Sequence, residues 1–355
     1  MRRRRLWLVA ALLLFAVAGF LLWHSDGPRP PPPPKVDIPR RLRPAEVTRM
    51  NQRAVLPVVQ PKAEVRGPVR PRDPMLAALA FGKGSSAVVF EANALRYSPV
   101  GQLLLDCLAS QGKDNPVQML KDQYGIDVLK DLDRVAVTPH GLLLTGDFKT
   151  AKWDDLFQHA SEDRYGDDAR LYEIAPPERD GGEAPKPFES AVWNNQLVYL
   201  GNSSDDARAA IDRVEGRAPT EALITEDQTY GEVYGVLGTQ EFLKMFPPEE
   251  SELAQKFAAA AQQVELHVDA RNDVGIQASI HGDSEQQVED LGKSLAGMLS
   301  AARLEAKASG DDQLSQLLDF AQVQPDGSSF SLEMALPLDY LKKQLAWCHP
   351  DAGTP

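Results

Sequence analysis

From residue 87 to residue 349 the apolar positions follow two periods, and each change of period marks an element boundary. Val264, Leu266 and Val268, then Ile276, Ala278 and Ile280, recur at every second position, which predicts two half-buried strands joined as a hairpin. Such paired runs return along the chain, each followed by a glycine with an acidic or amide residue: Gly146-Asp147, Gly201-Asn202 and Gly282-Asp283. After each pair the apolar spacing becomes helical. Ala207, Ala210, Ile211 and Val214 fall on one stripe, and Val288, Leu291, Leu295, Met298, Leu299 and Ala302 on another. Start signals stand at the expected places, because Ser203 with Asp206 and Ser284 with Gln287 have capping-box spacing and Thr150 offers a hydroxyl cap.

Two looser strand-helix units complete the pattern. One has Ser98 as cap and Pro99 at the first helical position, and the other begins near residue 232. A last hairpin turns at Pro325-Asp326-Gly327 and leads into a helix ending near Cys348. The order strand-helix, hairpin-helix, hairpin-helix therefore occurs twice, over 87–217 and 228–349. It predicts an α+β fold of internally duplicated units, with antiparallel-rich sheets and helices on one face. The halves are placed at 75–222 and 223–350.

The chain ahead of residue 75 follows neither period. Residues 24–74 contain the proline run 30–34 and further prolines at 28, 39, 44, 57, 61, 68, 71 and 74, so an extended or coiled linker is expected. Residues 6–23 lack any charge, and as a helix they would extend ~27 Å, close to the hydrocarbon thickness of a bilayer. Trp7 and Trp23 sit at the two ends, and Arg2, Arg3, Arg4 and Arg5 precede the run. This predicts a single membrane anchor in contact with the lipid bilayer through residues 6–23. Ala16-Val17-Ala18 has the form of a cleavage site, but the apolar run continues through Trp23, which favours an uncleaved anchor. The arginine block places the N-terminus in the cytoplasm and the C-terminal bulk outside, although Arg29, Lys35, Arg40, Arg41 and Arg43 pull the other way.

Charge changes sign along the chain. Residues 1–74 hold 15 Lys/Arg against 5 Asp/Glu, and the remainder 23 against 46. So acidic a folded part repels nucleic acid. The basic linker has two places to lie, on anionic headgroups or against its own acidic domain.

Candidate chemistry is sparse. The six histidines include no metalloprotease or finger spacing. His267 and His281 lie on the polar face of one hairpin. Pairing Val268 with Ile276 sets His267 opposite Gln277 and His281 opposite Gln263, offsetting the two by about 13 Å along the ladder, too far for one zinc. They read as solvated strand residues. Asp269, Asn272 and Asp273 read as turn residues without calcium-loop spacing. Ser284 reads as a helix cap, since Gly282-Asp283-Ser284 lacks the second glycine of a nucleophile elbow. Phe81 to Ser86 reads as a loop without the phosphate-cradle pattern. No catalytic, metal or cofactor-binding residue is assigned. Cys107 and Cys348 each fall on a core-facing helical stripe, and two readings stand: buried thiols that pack as small hydrophobes, or a disulfide tying the first helix of the domain to its last.

The succession Ser98-Pro99 after a strand, Gly125-Ile126-Asp127, Asp131-Leu132-Asp133-Arg134-Val135 and Gly146 with Phe148 resembles uncharacterised bacterial envelope proteins over residues 85–150. The resemblance implies a fold type and an extracytoplasmic setting, and no activity. The sequence reading is thus a single-pass protein of the cytoplasmic membrane with its C-terminal domain in the periplasm, acting as a non-catalytic binding or scaffold protein for an envelope protein partner. The rival is an envelope enzyme or enzyme regulator with a cleft between the halves.

Overall fold

The computed structural model describes residues 38–53, 55–56, 72–79, 85–109, 116–157, 160–174, 188–201, 203–218, 221–244, 251–326 and 329–345. Numbered along the chain, α1 (Pro44–Gln52), α2 (Pro74–Ala78), β1 (Ala87–Phe90), α3 (Ala92–Leu95) and α4 (Pro99–Ala109) come first. There follow α5 (Pro116–Tyr124), α6 (Val128–Asp131), β2 (Leu132–Thr138), β3 (Gly141–Gly146), α7 (Trp153–Leu156), β4 (Ala160–Tyr165) and β5 (Ala169–Ile174). Next are β6 (Phe188–Trp193), β7 (Leu197–Gly201), α8 (Ser204–Val214), β8 (Val233–Gly238), α9 (Thr239–Leu243) and α10 (Ser251–Ala260). The last are β9 (Gln263–Asp269), β10 (Val274–His281), α11 (Glu285–Ser309), α12 (Asp312–Asp319), β11 (Ala321–Asp326), β12 (Ser329–Leu336) and α13 (Leu338–Gln344). Helix and strand are mixed and the described strand pairs are antiparallel, which is the α+β class. These residues divide into two compact units, one within 41–96 and 111–230, the other within 38–40, 97–110 and 231–345. Helix α4, which the sequence places in the first half, belongs to the second of these.

In the first unit the strands run in the order β1-β2-β3-β7-β6-β5-β4. Asn194, Asn195 and Gln196 join β6 to β7, the Gln196 N–H donating to the Trp193 carbonyl at 2.9 Å, and Asn194 and Asn195 take φ of 49° and 52°, a left-handed backbone that asparagine tolerates. Ser203 caps α8 by accepting from the Asp206 N–H, and Ala207, Ala210, Ile211 and Val214 are all buried, as the spacing predicts. The helix expected after Gly146-Asp147 shrinks to the single turn α7. Thr150 does not cap it; its hydroxyl donates to the Gly125 carbonyl at 3.1 Å. Aromatic packing overrides the helical stripe here, because Phe148, Trp153, Phe157 and Tyr172 close a ring cluster at centroid separations of 4.6 to 6.1 Å.

The main correction to the linker reading also lies in this unit. Proline-rich composition predicts coil to residue 74, yet α1 forms with Pro44 at its first position, and the Arg43 N–H donates to the Glu46 carboxylate at 2.6 Å. Asp73 then caps α2, accepting from Met75 and Leu76 at 2.9 and 3.3 Å, and every residue of α2 is buried. The same carboxylate meets Arg134 of β2 at 2.8 Å and Arg53 at 3.8 Å, while Arg53 reaches the buried Glu91 at 2.5 Å. Burial by itself raises the Asp73 carboxyl, but Arg134 and then Arg53 outweigh it and hold the group below its ordinary value.

The second unit is a sheet in the order β11-β12-β10-β9-β8. Its register is the one the pattern predicts, with Val268 opposite Ile276, His267 opposite Gln277 and His281 opposite Gln263. Ser284 caps α11 by accepting from Gln287 at 3.4 Å, and Val288, Leu291 and Gly292 are buried, with Gly292 close against Phe330 of β12. Further along the predicted stripe fades: Leu295, Leu299 and Ala302 are half-buried and Met298 is exposed. The helix ends at Gly310, whose φ of 74° is the left-handed cap that glycine supplies without strain. Asp273 is a turn residue with a second task, its carboxylate accepting from the Leu338 N–H at 2.8 Å where α13 begins. Helix α4 starts as predicted, Ser98 accepting from the Gly101 N–H at 2.9 Å, and it lies against α13. Cys107 of α4 is disulfide-bonded. Cys348, the chain's other cysteine, lies outside the described residues.

Asp73→Asn keeps a competent helix cap and removes only the charge. It is expected to lower the unfolding free energy of the first unit by about 3 kcal/mol at pH 7 by removing the carboxylate charge that faces Arg134 and Arg53. Because the folded carboxyl sits below its unfolded value near 3.9, its contribution is complete above that pH and is lost as pH falls through the folded value. Urea titrations should therefore show the two proteins converging in acid. Separately, a bond between Cys107 and Cys348 closes a loop of 240 residues and contributes about 4 to 5 kcal/mol in the chain-entropy model. Peptide mapping without reductant is expected to find the two cysteine peptides joined. An intermolecular dimer through Cys107 would contradict that pairing.

Candidate functional site

Strand alternation gives the sheet of the second unit two unlike faces. Val264, Val268, Ile280, Phe330 and Leu336 are buried on the apolar one. The other carries Glu265, His267 and Asp269 of β9, Gln277 and His281 of β10, Ser331 and Glu333 of β12, and Gln322 and Gln324 of β11. A polar face on an antiparallel sheet is ordinarily solvated. Here its centre is not, since His267 and Glu333 are each 1% exposed and Asp269 and Ser331 are buried as well. His267 therefore corrects the sequence reading of a solvated histidine. Ionisable groups so placed need partners to offset their desolvation.

One row of the register crosses all five strands, Tyr234–His267–Gln277–Glu333–Gln322. Glu333 accepts from Arg40 Nη2 at 2.9 and 3.2 Å and from Gln322 Nε2 at 3.0 Å. The Arg40 side chain is 58% exposed while that of Glu333 is 2% exposed. As an interaction with a solvated arginine the pair contributes less than about 1 kcal/mol. Gln277 Oε1 is buried without a hydrogen-bond partner among the described residues.

Glu265 stands between the two histidines. His267 Nε2 lies 2.6 Å from its Oε1 and His281 Nε2 lies 3.7 Å from its Oε2. The backbone offset read from the register holds, but the side chains converge on one carboxylate. Nearby, the buried Glu232 accepts from the Ala270 N–H at 2.9 Å, and Asp269 pairs with Arg271 at 3.1 Å. Asp269 is therefore more than a turn residue. Among the described residues no three His, Cys, Asp or Glu side chains gather as a metal site.

General acid-base work requires a group that substrate reaches. His267 is closed to solvent, and its imidazole is committed to Glu265. The arrangement holds charges and hydrogen bonds across a sheet face, which suits it to gripping a polar or basic segment. In the first unit, Asp168, Arg170, Val192, Asn194 and Asn195 line an open depression of about 260 Å³. Asn195 is fixed there by the Trp153 indole N–H at 3.1 Å, so this feature belongs to the hairpin turn.

Of the residues the sequence singles out, Ser284 acts as a helix cap and Ser86 is buried just ahead of β1. Arg2, Arg3, Arg4, Arg5, Trp7, Trp23, Cys348 and residues 81–84 lie outside the described residues. The described residues contain no helix long and apolar enough to cross a membrane. The site that sequence reasoning missed is Arg40 with Glu333. Its signal was the polar alternation of Ser329, Ser331 and Glu333 in β12, where the glutamate faces Gln277 on one side and Gln322 on the other. The chain matches no family model, no curated protein and no solved structure.

Proposed function

We propose that the chain is a membrane-anchored, extracytoplasmic binding or scaffold protein of the bacterial envelope, non-catalytic, with its folded part derived from an internal duplication. The observation that carries the reading is the disulfide of Cys107 beside the uncharged run 6–23. A disulfide persists in an oxidising compartment, and the run has the length of a span behind an arginine block that favours a cytoplasmic N-terminus. The weak resemblance over residues 85–150 points to the same setting. The duplication is supported by one device in each unit: a hairpin followed by a serine-capped helix, Ser203 with α8 and Ser284 with α11. An acidic folded part favours a basic protein partner and disfavours nucleic acid.

Membranes washed with high salt and then with carbonate are expected to retain the whole chain, and reporter fusions after Pro74 to be active only when exported. A soluble product beginning at Gly19 would show cleavage after Ala18 and remove the anchor.

A further inference from the structure

We infer that Arg40 and Glu333 form a latch, and that the polar face of the β11-β12-β10-β9-β8 sheet is a docking surface for a basic segment, met in this protein by Arg40 of its own proline-rich stretch. The ends of the latch are unequal. Glu333 is buried and accepts from both Arg40 and Gln322, whereas Arg40 is mostly exposed and also reaches Gln324 at 3.4 Å. The carboxylate is thus built into the sheet, and the cation is delivered from outside it. Pro39, next to Arg40, is buried. The charges are complementary in sequence as well: residues 24–74 hold 11 Lys/Arg against 5 Asp/Glu, and while Glu265 meets the two histidines and Asp269 meets Arg271, Glu333 takes its cation from that stretch. An extended, proline-containing strip with spaced cations is a suitable occupant, since it loses little chain entropy on docking.

The latch goes beyond the anchoring proposal and stands without it; only its effect on reach rests on that proposal. With the tether fixed at Arg40, the 14 residues between Trp23 and Ile38 are all that separate a membrane span from the domain. Fully extended they cover at most ~50 Å. Releasing the latch would lengthen that leash and free Glu333 for a cation from a basic segment of another protein.

Amide hydrogen exchange of the full-length protein in detergent tests this without reference to the membrane. Glu333→Gln and Arg40→Ala are each expected to speed exchange over residues 38–43 about tenfold, leaving β9 and α11 unchanged. Equal exchange in wild type and in Arg40→Ala would overturn the latch. Should Glu333→Gln disturb β12 itself, Arg40→Ala still decides, because its side chain is largely in solvent. A synthetic peptide of residues 28–43 added to the Arg40→Ala chain is expected to bind, and the same peptide with alanine at position 40 to bind at least tenfold more weakly. Equal binding of the two peptides, or binding of neither, would refute the docking surface.

Discussion

The first unit depends on a charge that composition gives no reason to expect inside a fold. Asp73 caps α2, lies within ion-pair distance of Arg134 and Arg53, and is held ionised by them against its own burial. Arg53 passes the link on to Glu91, which is itself buried. Each partner offsets part of the desolvation of the others, so removing one weakens the whole chain of charges. Residues 53 and 73, both from the stretch whose prolines suggest a loose spacer, are thereby part of the folded body.

That stretch shows where sequence reasoning ran out. Proline count was the wrong discriminator, because three of the prolines sit where proline is favourable or harmless. Pro44 and Pro74 are first helical positions, behind Arg43 and the Asp73 cap, and Pro39 lies buried beside Arg40. The local signal was present in the form of Glu46 three residues after Arg43 and Asp73 directly before Pro74. Hairpin registers and serine caps were legible for the opposite reason, since period and capping are local properties. The α7 helix failed because Trp153 and Phe157 serve an aromatic cluster assembled from three separate segments. His267 failed because polar alternation reveals a face but not what covers it.

Both units use the same means to manage an acidic composition. In the first, Arg53 and Arg134 neutralise buried carboxylates; in the second, Arg40 does so for Glu333 and the histidines flank Glu265. Arg40 and Arg53 come from the basic stretch, so the reversal of charge sign along the chain has a structural purpose besides solubility. Of the two places open to that stretch, its described residues lie against the acidic folded part.

Mild proteolysis followed by native size exclusion and mass spectrometry of the retained peptides tests the central claim most directly, that the basic stretch is part of the fold. The account predicts that residues 38–53 co-elute with the domain even where the chain between 57 and 71 has been cut. A protected domain beginning near residue 74, with residues 38–53 lost to the small-peptide fraction, would contradict it and restore the spacer.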